Sequence, residues 1–275
     1  MMTLESINQN KANIEQITQL AKEQILQYPT KWISAVHCAD QKIWVKRRPF
    51  SKKTIWHRLQ RAVTWLIPLK IFYPTVTLGG PESLKLEATQ LRLFAAKNIP
   101  TPKVLVETSD FIVTSDVGLQ LHSYIQKVEV VEKEQLLHKA IKALNHLHRI
   151  GLCHGRPSLR DMTYQNDCVF FIDLEENPLT VMNLAQAQAR DIWLFLNSAA
   201  RHSNHNPSIL LNLFQSYTEG ISTETIRALK QMVQVLKPAR FFAEYLLMPF
   251  AGHDISSAVK ANKALEHAFK KSLRT

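Results

Sequence analysis

The sequence predicts an α+β protein, with a small N-terminal lobe built on a sheet and a larger, mostly helical C-terminal lobe. Two observations carry this. Short runs rich in β-branched and aromatic residues, Trp32–His37, Ile43–Arg47, Val104–Glu107 and Phe111–Thr114, all fall before residue 117. Beyond that point apolar residues recur at helical spacing in one segment after another, and one apolar strand, Cys168–Ile172, interrupts them. The expected divisions are an N-terminal helix over 1–30, a sheet-bearing part over 31–117 with a basic helical insertion, and a helical part over 118–275.

Taken in order, Leu4–Tyr28 carries Ile7, Ile14, Ile17, Leu20 and Ile25 without an intervening Gly or Pro, and Pro29 ends it. Trp32–His37 and Ile43–Arg47 alternate and read as a hairpin around Cys38–Gln41. Thr54–Ile67 is an amphipathic basic helix, and Gly79-Gly80-Pro81 breaks the chain after it. A helix over Ser83–Lys97 closes at Asn98-Ile-Pro-Thr-Pro and leads into the second strand pair. Asp116–Gln120 reads as a connector. Helices follow over Glu132–Ile150, Leu184–Ala200, Pro207–Thr218, Ser222–Leu236 and Ala239–Leu247, with a loosely docked basic helix over His253–Leu273.

Composition bounds the function. The chain has 275 residues, 45% hydrophobic and 21% charged, enough for a sizeable core. Its three cysteines, Cys38, Cys153 and Cys168, form no CxxC pair, which fits a reducing compartment. The opening MMTLESINQNK has no basic then apolar pattern of a signal peptide, and no apolar run reaches the about 18 residues of a membrane span. A cytoplasmic protein is the expectation. The formal net charge is +11, and from Gln41 to Pro81 there is no Asp or Glu, while Lys42, Lys46, Arg47, Arg48, Lys52, Lys53, Arg58, Arg61 and Lys70 fall there. Such a block favours an anionic partner, and residues 42–70 are expected to make peripheral contact with an anionic membrane at its inner face. A helix-turn-helix, an aromatic RNA-binding motif and zinc fingers are all missing, so nucleic acid is not the expected partner.

The chemistry concentrates in His154–Glu175, HGRPSLRDMTYQNDCVFFIDLE. A charged loop runs into an apolar strand that ends in Asp173, Glu175 and Glu176. Loop, strand and acid in that order is how phosphotransferases place carboxylates around a metal–nucleotide. Upstream, Lys46 sits in the strand Ile-Trp-Val-Lys-Arg, where it is either a phosphate binder or an ordinary edge-strand lysine. Glu87 lies within the Ser83–Lys97 helix. His138, His146 and His148 lack the spacing of a metal site.

These pieces together resemble the protein-kinase superfamily, and within it the bacterial lipopolysaccharide (Kdo and heptose) kinases, over roughly residues 32 to 220. Trp44-Val-Lys46 looks like the family's strand lysine, Glu87 like its helix glutamate, His154-Gly155 like the start of the catalytic loop, Phe171-Ile-Asp-Leu-Glu175 like the metal-binding strand end, and Asp191 like the buried aspartate that holds the loop by its backbone. The resemblance implies a two-lobed kinase-like fold that binds ATP against Lys46 and Glu87, with Mg²⁺ on Asp161 and Asp173. It also implies transfer of a phosphoryl group to an anionic acceptor, a sugar, a membrane-associated glycolipid or a protein. Asp161 stands where the family usually has Asn.

Two departures matter. The family's loop has Asp two residues after the His, and here that residue is Arg156, which cannot accept a proton. There is also no glycine between Ala35 and Lys42, where a Gly-rich loop would lie. Three readings stay open: a phosphotransferase in which Asp161 or the substrate takes over and Arg156 clamps a phosphate or the acceptor; an AMP-transferase resembling the selenoprotein-O type; and a pseudokinase that serves as a binding module.

Overall fold

Alternation in the second strand organises the first sheet. The structure is a computed structural model that describes residues 4–38, 41–47, 81–203, 206–242 and 253–271. Strand β2 (Gln41–Arg47) buries Ile43 and Val45 on one face and turns Lys42, Trp44 and Lys46 to the other. It pairs antiparallel with β1 (Ile33–Cys38) on one side and with β4 (Phe111–Ser115) on the other, and β4 pairs with β3 (Val104–Glu107). The order is therefore β1-β2-β4-β3, with Lys46 opposite Ile33 and Ile112.

Each face of this sheet has its own helix. Helix α1 (Leu4–Gln27) brings Ile17 and Ala21 against Ile43, Val45, Val106, Phe111 and Val113. Helix α2 (Pro81–Ala96) packs Leu84 and Ala88 on Ile112. Because β4 is covered on both faces, its Phe-Ile-Val run is uniformly apolar instead of alternating. In α2 the buried stripe is Leu84, Ala88, Leu91 and Phe94, at i, i+4, i+7 and i+10, and Glu87 lies on its edge.

The helical part contains a second sheet, β5 (Leu119–Gln120), β6 (Met162–Gln165) and β7 (Cys168–Phe171), in the order β5-β6-β7. Around it lie α3 (Leu121–Ile125), α4 (Val130–Arg149), a 3₁₀ turn at Pro178–Thr180, α5 (Leu184–Ala200), α6 (Pro207–Thr218), α7 (Thr223–Phe242) and α8 (His253–Lys271). Helix α5 is the hub: it packs against α4, α6, α7 and α8 through a face that includes Ala187, Ile192, Phe195, Leu196 and Ala199. A capping box between Asn183 and Gln186 starts it.

The α+β class and the order of sheet part then helical part agree with the sequence prediction. Four local expectations are corrected. Residues 162–165 form a strand instead of loop, paired with β7 through Asn166 and Asp167, both at positive φ as a tight hairpin turn requires. Leu119–Gln120 is a short strand, not part of a connector. Helix α7 continues through Pro238 to Phe242, because Pro238 sits in its last turns, where one missing N–H breaks little. Helix α8 is docked, burying Val259, Ala261, Leu265 and Phe269. The expected helix at Thr54–Ile67, the break at Gly79-Gly80 and the basic residues from Arg48 to Lys70 lie outside the described residues, as do residues 243–247.

The described residues divide into two compact units. One contains α1, the four-stranded sheet, α2, the stretch to Gly118, and the four residues Ile172–Glu175. The other contains Leu119–Phe171 and the described residues from Glu176 onward.

Candidate functional site

The first unit gathers one ammonium and three carboxylates. Lys46 is held on the face of β2 away from Ile43 and Val45. Its Nζ lies 2.7 Å from Glu87 Oε2, 2.7 Å from Asp173 Oδ1 and 3.6 Å from Glu175 Oε2. Three parts of the sequence, β2, α2 and the segment after β7, thus converge on one side chain. Asp173 takes a left-handed backbone (φ 62), a conformation that aspartate tolerates better than most residues and that turns the chain directly after β7. Asp173 and Glu175, two apart, both bring their carboxylates to Lys46.

The electrostatics follow from burial and from the charge count. Burial alone would lower the Lys46 value, but Glu87 first, then Asp173 and Glu175, outweigh it and hold the ammonium above the usual lysine range. Glu87 is pushed above the ordinary carboxyl value by burial, Lys46 opposes that rise, and Asp173 and Glu175 add to it. Glu87 Oε2 is fully buried and, although it forms the ion pair with Lys46, lacks an aligned hydrogen bond. With all three acids ionised the cluster carries an excess of about two negative charges in a partly desolvated site, which a hard divalent cation would balance. Oxygen atoms of Glu87, Asp173 and Glu175 lie within 4.8 Å of one another, close enough to share one ion. The donor set fits Mg²⁺ in kind: all oxygen, all anionic.

The second unit contains the loop. Asp191, 0% exposed, accepts the backbone N–H of His154 at 2.6 Å and that of Gly155 at 3.0 Å. Behind it, His148 Nε2 is 3.3 Å from Asp191 and His148 Nδ1 is 2.7 Å from the Tyr217 hydroxyl. Burial first, and Asp191 second, hold the Tyr217 phenol well above its ordinary value and so keep its O–H, while a carboxylate at Asp191 can only accept from Nε2. Gly155, at φ +103, leaves no room for a side chain: a Cβ there would lie 3.0 Å from Glu176 Cβ. Arg190 donates to the Gly155 carbonyl at 2.9 Å and pairs with Glu176 at 3.4 Å.

Of the residues picked from sequence, Lys46, Glu87 and Asp173 are brought together. Arg156 and Asp161 belong to the second unit. Arg156 Nε is 3.6 Å from Glu176 Oε1, with half of its side chain in solvent. Asp161 Oδ2 accepts from the Ser158 hydroxyl at 2.7 Å and the Ser158 N–H at 3.2 Å, closing the loop on itself. Sequence reasoning missed Glu175 as a partner of Lys46, Glu176 as the partner of Arg156 and Arg190, and the His148–Tyr217 pair behind Asp191. The acidic run Asp173–Glu176 was a visible signal for the first two. Nothing in sequence marks Tyr217.

No protein-family model matches the chain. A protein of Haemophilus influenzae, described as uncharacterized, is 28% identical over 174 residues, which is 62% of this chain and 69% of that protein. Among solved structures, MAP kinase LmaMPK10 from Leishmania major aligns over 93% of this chain and 89% of its own at 12% identity and a TM-score of 0.39. A likeness that distant carries no inference about activity. The kinase reading accordingly stands on the sequence motifs and on the geometry around Lys46.

Proposed function

We propose that this protein binds a magnesium–nucleotide through Lys46, Glu87, Asp173 and Glu175 and acts as a phosphotransferase of the lipopolysaccharide-kinase-like type. The observation that carries the reading is the ion pairing of one strand lysine with a helix glutamate and with an acid at the end of a separate strand. A lysine fixed in this way presents a cation to nucleotide phosphates, and carboxylates beside it suit a divalent ion. When bound, Mg²⁺ would be held by Asp173 with Glu175 and would neutralise phosphate charge. Glu87 keeps Lys46 ionised and oriented. Asp191 fixes the backbone of His154 and Gly155, and so the loop that bears Arg156 and Asp161.

Arg156 cannot serve as the base, so the reaction relies on positioning and charge stabilisation, with Asp161 orienting the acceptor and Arg156 holding an anionic group on it. The acceptor is an anionic sugar, glycolipid or protein, a choice supported by the basic surplus of the chain. A pseudokinase is the second reading, and the observation that favours it is the same Arg156, paired with Glu176 where a catalytic aspartate is expected.

Thermal-shift titration with ATP and Mg²⁺ tests the binding half on wild type, Lys46→Met and Asp173→Ala. The expectation is a Mg²⁺-dependent stabilisation of wild type that both substitutions remove. No shift in wild type would overturn the phosphotransferase and AMP-transferase readings. Binding without turnover on any acceptor would select the pseudokinase. Transfer of label from α-labelled instead of γ-labelled ATP would identify AMP transfer.

A further inference from the structure

The second unit contains a cavity of about 390 Å³, lined by the residue three past the end of α5, Ser203, and by residues of α6 and α8. That volume is in the range of small-molecule sites. Leu210 of α6 and Ala264 of α8 are buried in its wall, and Leu211 is half-buried beside them. Ser203 is buried too, and its hydroxyl already donates to the Ala200 carbonyl at 3.0 Å, which leaves it only acceptor capacity. Lys260, Lys263 and His267 complete the lining, and Lys263 and His267 reach solvent. Among the described residues, no Asp or Glu lines the cavity.

The periodicity of α8 explains the arrangement. Lys260, Lys263, Ala264 and His267 stand at i, i+3, i+4 and i+7, which is one face of a helix. Ala261, Leu265 and Phe269, at i, i+4 and i+8, form the neighbouring buried face that docks α8 in the unit. The Phe269 ring meets the Phe214 ring of α6 edge-on, with centroids 5.5 Å apart. The seam between the two helices is therefore firmly packed at its aromatic pair. Further along it, a short alanine faces two leucines, and the helix turns on either side of that alanine carry lysine and histidine. The product is an apolar hollow under a cationic rim, with the aliphatic stems of the lysines extending its wall.

Such a hollow selects its occupant by chemistry. A nucleobase or a sugar needs several polar partners in the buried wall, and Ser203 alone supplies one there. An alkyl chain needs none and leaves water against Leu210, Leu211 and Ala264. The ammonium groups at the rim call for an anionic head on that chain and repel a cationic one. We propose that this cavity binds a single-chain anionic amphiphile, a medium-chain fatty acid, with its tail against Leu210, Leu211 and Ala264 and its carboxylate at Lys260 and Lys263. The proposal does not depend on the nucleotide reading.

Isothermal titration calorimetry of the full chain with decanoate, kept below its micelle-forming concentration, tests this. Wild type is expected to bind decanoate saturably at one site per chain, and to bind acetate, which lacks the tail, and decyltrimethylammonium, which reverses the charge, at least about tenfold more weakly. Lys260→Gln combined with Lys263→Gln should weaken decanoate by about threefold or more. Leu211→Glu, which sets a carboxylate in the hollow, should weaken it further. Far-UV circular dichroism checks that the variants fold; Lys263→Glu, at an exposed position, reads the same charge if the double variant does not. Absence of saturable decanoate binding to wild type overturns the proposal. So does equal binding of acetate or of decyltrimethylammonium, and so do folded lysine variants that bind decanoate as wild type does.

Discussion

Asp191→Asn should loosen the loop that begins at His154, and the cost can be worked from three contacts. The carboxylate is fully buried and accepts the His154 N–H at 2.6 Å, the Gly155 N–H at 3.0 Å and the His148 ring at 3.3 Å. An amide of the same shape has one acceptor oxygen; with it in the Oδ2 place, the Gly155 N–H faces an NH₂ group at 3.0 Å and keeps only its longer 3.3 Å contact. A buried donor so weakly paired costs about 1–3 kcal/mol. The bond that remains loses its charge assistance, worth about 1 kcal/mol more. The expected loss is therefore about 2–4 kcal/mol, a large fraction of an ordinary domain's stability. Urea denaturation followed by circular dichroism measures it, and hydrogen exchange locates it, since the His154 and Gly155 amides should exchange at least tenfold faster. A loss below about 1 kcal/mol with unchanged exchange at those two amides would refute the reasoning, because other contacts, such as Arg190 on the Gly155 carbonyl, would then hold the loop.

Two further substitutions probe the same unit. Gly155→Ala puts a methyl group 3.0 Å from Glu176 Cβ and 3.3 Å from the Glu176 carbonyl at φ +103, and should cost about 2–4 kcal/mol in a urea melt; wild-type stability would mean the loop adjusts freely. His202 is held down at about 4, by burial first and then by His122, Lys133 and Arg201, against an ordinary histidine value of 6.5. The unfolded chain therefore binds the extra proton between those two values, so this contribution is complete above pH 6.5 and is lost as pH falls towards 4. The gap between the two values sets a ceiling of about 3 kcal/mol. His202→Gln should lose less stability than wild type between pH 7.5 and 4.5, and parallel losses in the two proteins would rule the group out.

What the sequence revealed depended on whether a signal was local. Helices α5 and α6 have the bounds expected from their apolar spacing, and the structure adds their caps, Asn183, and Asn206 followed by Pro207. Strand β6 was missed because Met-Thr-Tyr-Gln is short and neutral in pattern, and its only local mark is the Asn166-Asp167 turn. The two helices expected on either side of Pro238 are joined through Phe242, because the proline's place near the end of α7 leaves little helix to lose. In the site, Lys46 could be picked from the alternation of its strand, on the face of β2 opposite Ile43 and Val45, whereas Glu87 came from the resemblance to the kinase family. That Glu175 joins them, or that Tyr217 lies behind Asp191, depends on chain returns over long sequence distances, which no local pattern encodes.

Arg156 is easier to weigh once the roles proposed for it and for Lys46 are given magnitudes. A missing general base costs a reaction about 10²- to 10⁴-fold. Fixed charges and positioning supply more than that in phosphoryl transfer, where little covalent work falls to the protein. On these numbers, replacing the base by Arg156 predicts a slow enzyme, whereas losing Lys46 predicts none. Lys46 is the more exacting constraint in another respect. Its ammonium is already taken by Glu87 and Asp173 at 2.7 Å each. To face a phosphate it must give up one of them, and Glu87, the more deeply buried, is the costlier to abandon. Asp173, more open to solvent, is the one to release. In the proposed reading, nucleotide binding should therefore loosen the Lys46–Asp173 pair and leave Lys46–Glu87 intact, so Glu87→Gln should weaken binding by loosening Lys46.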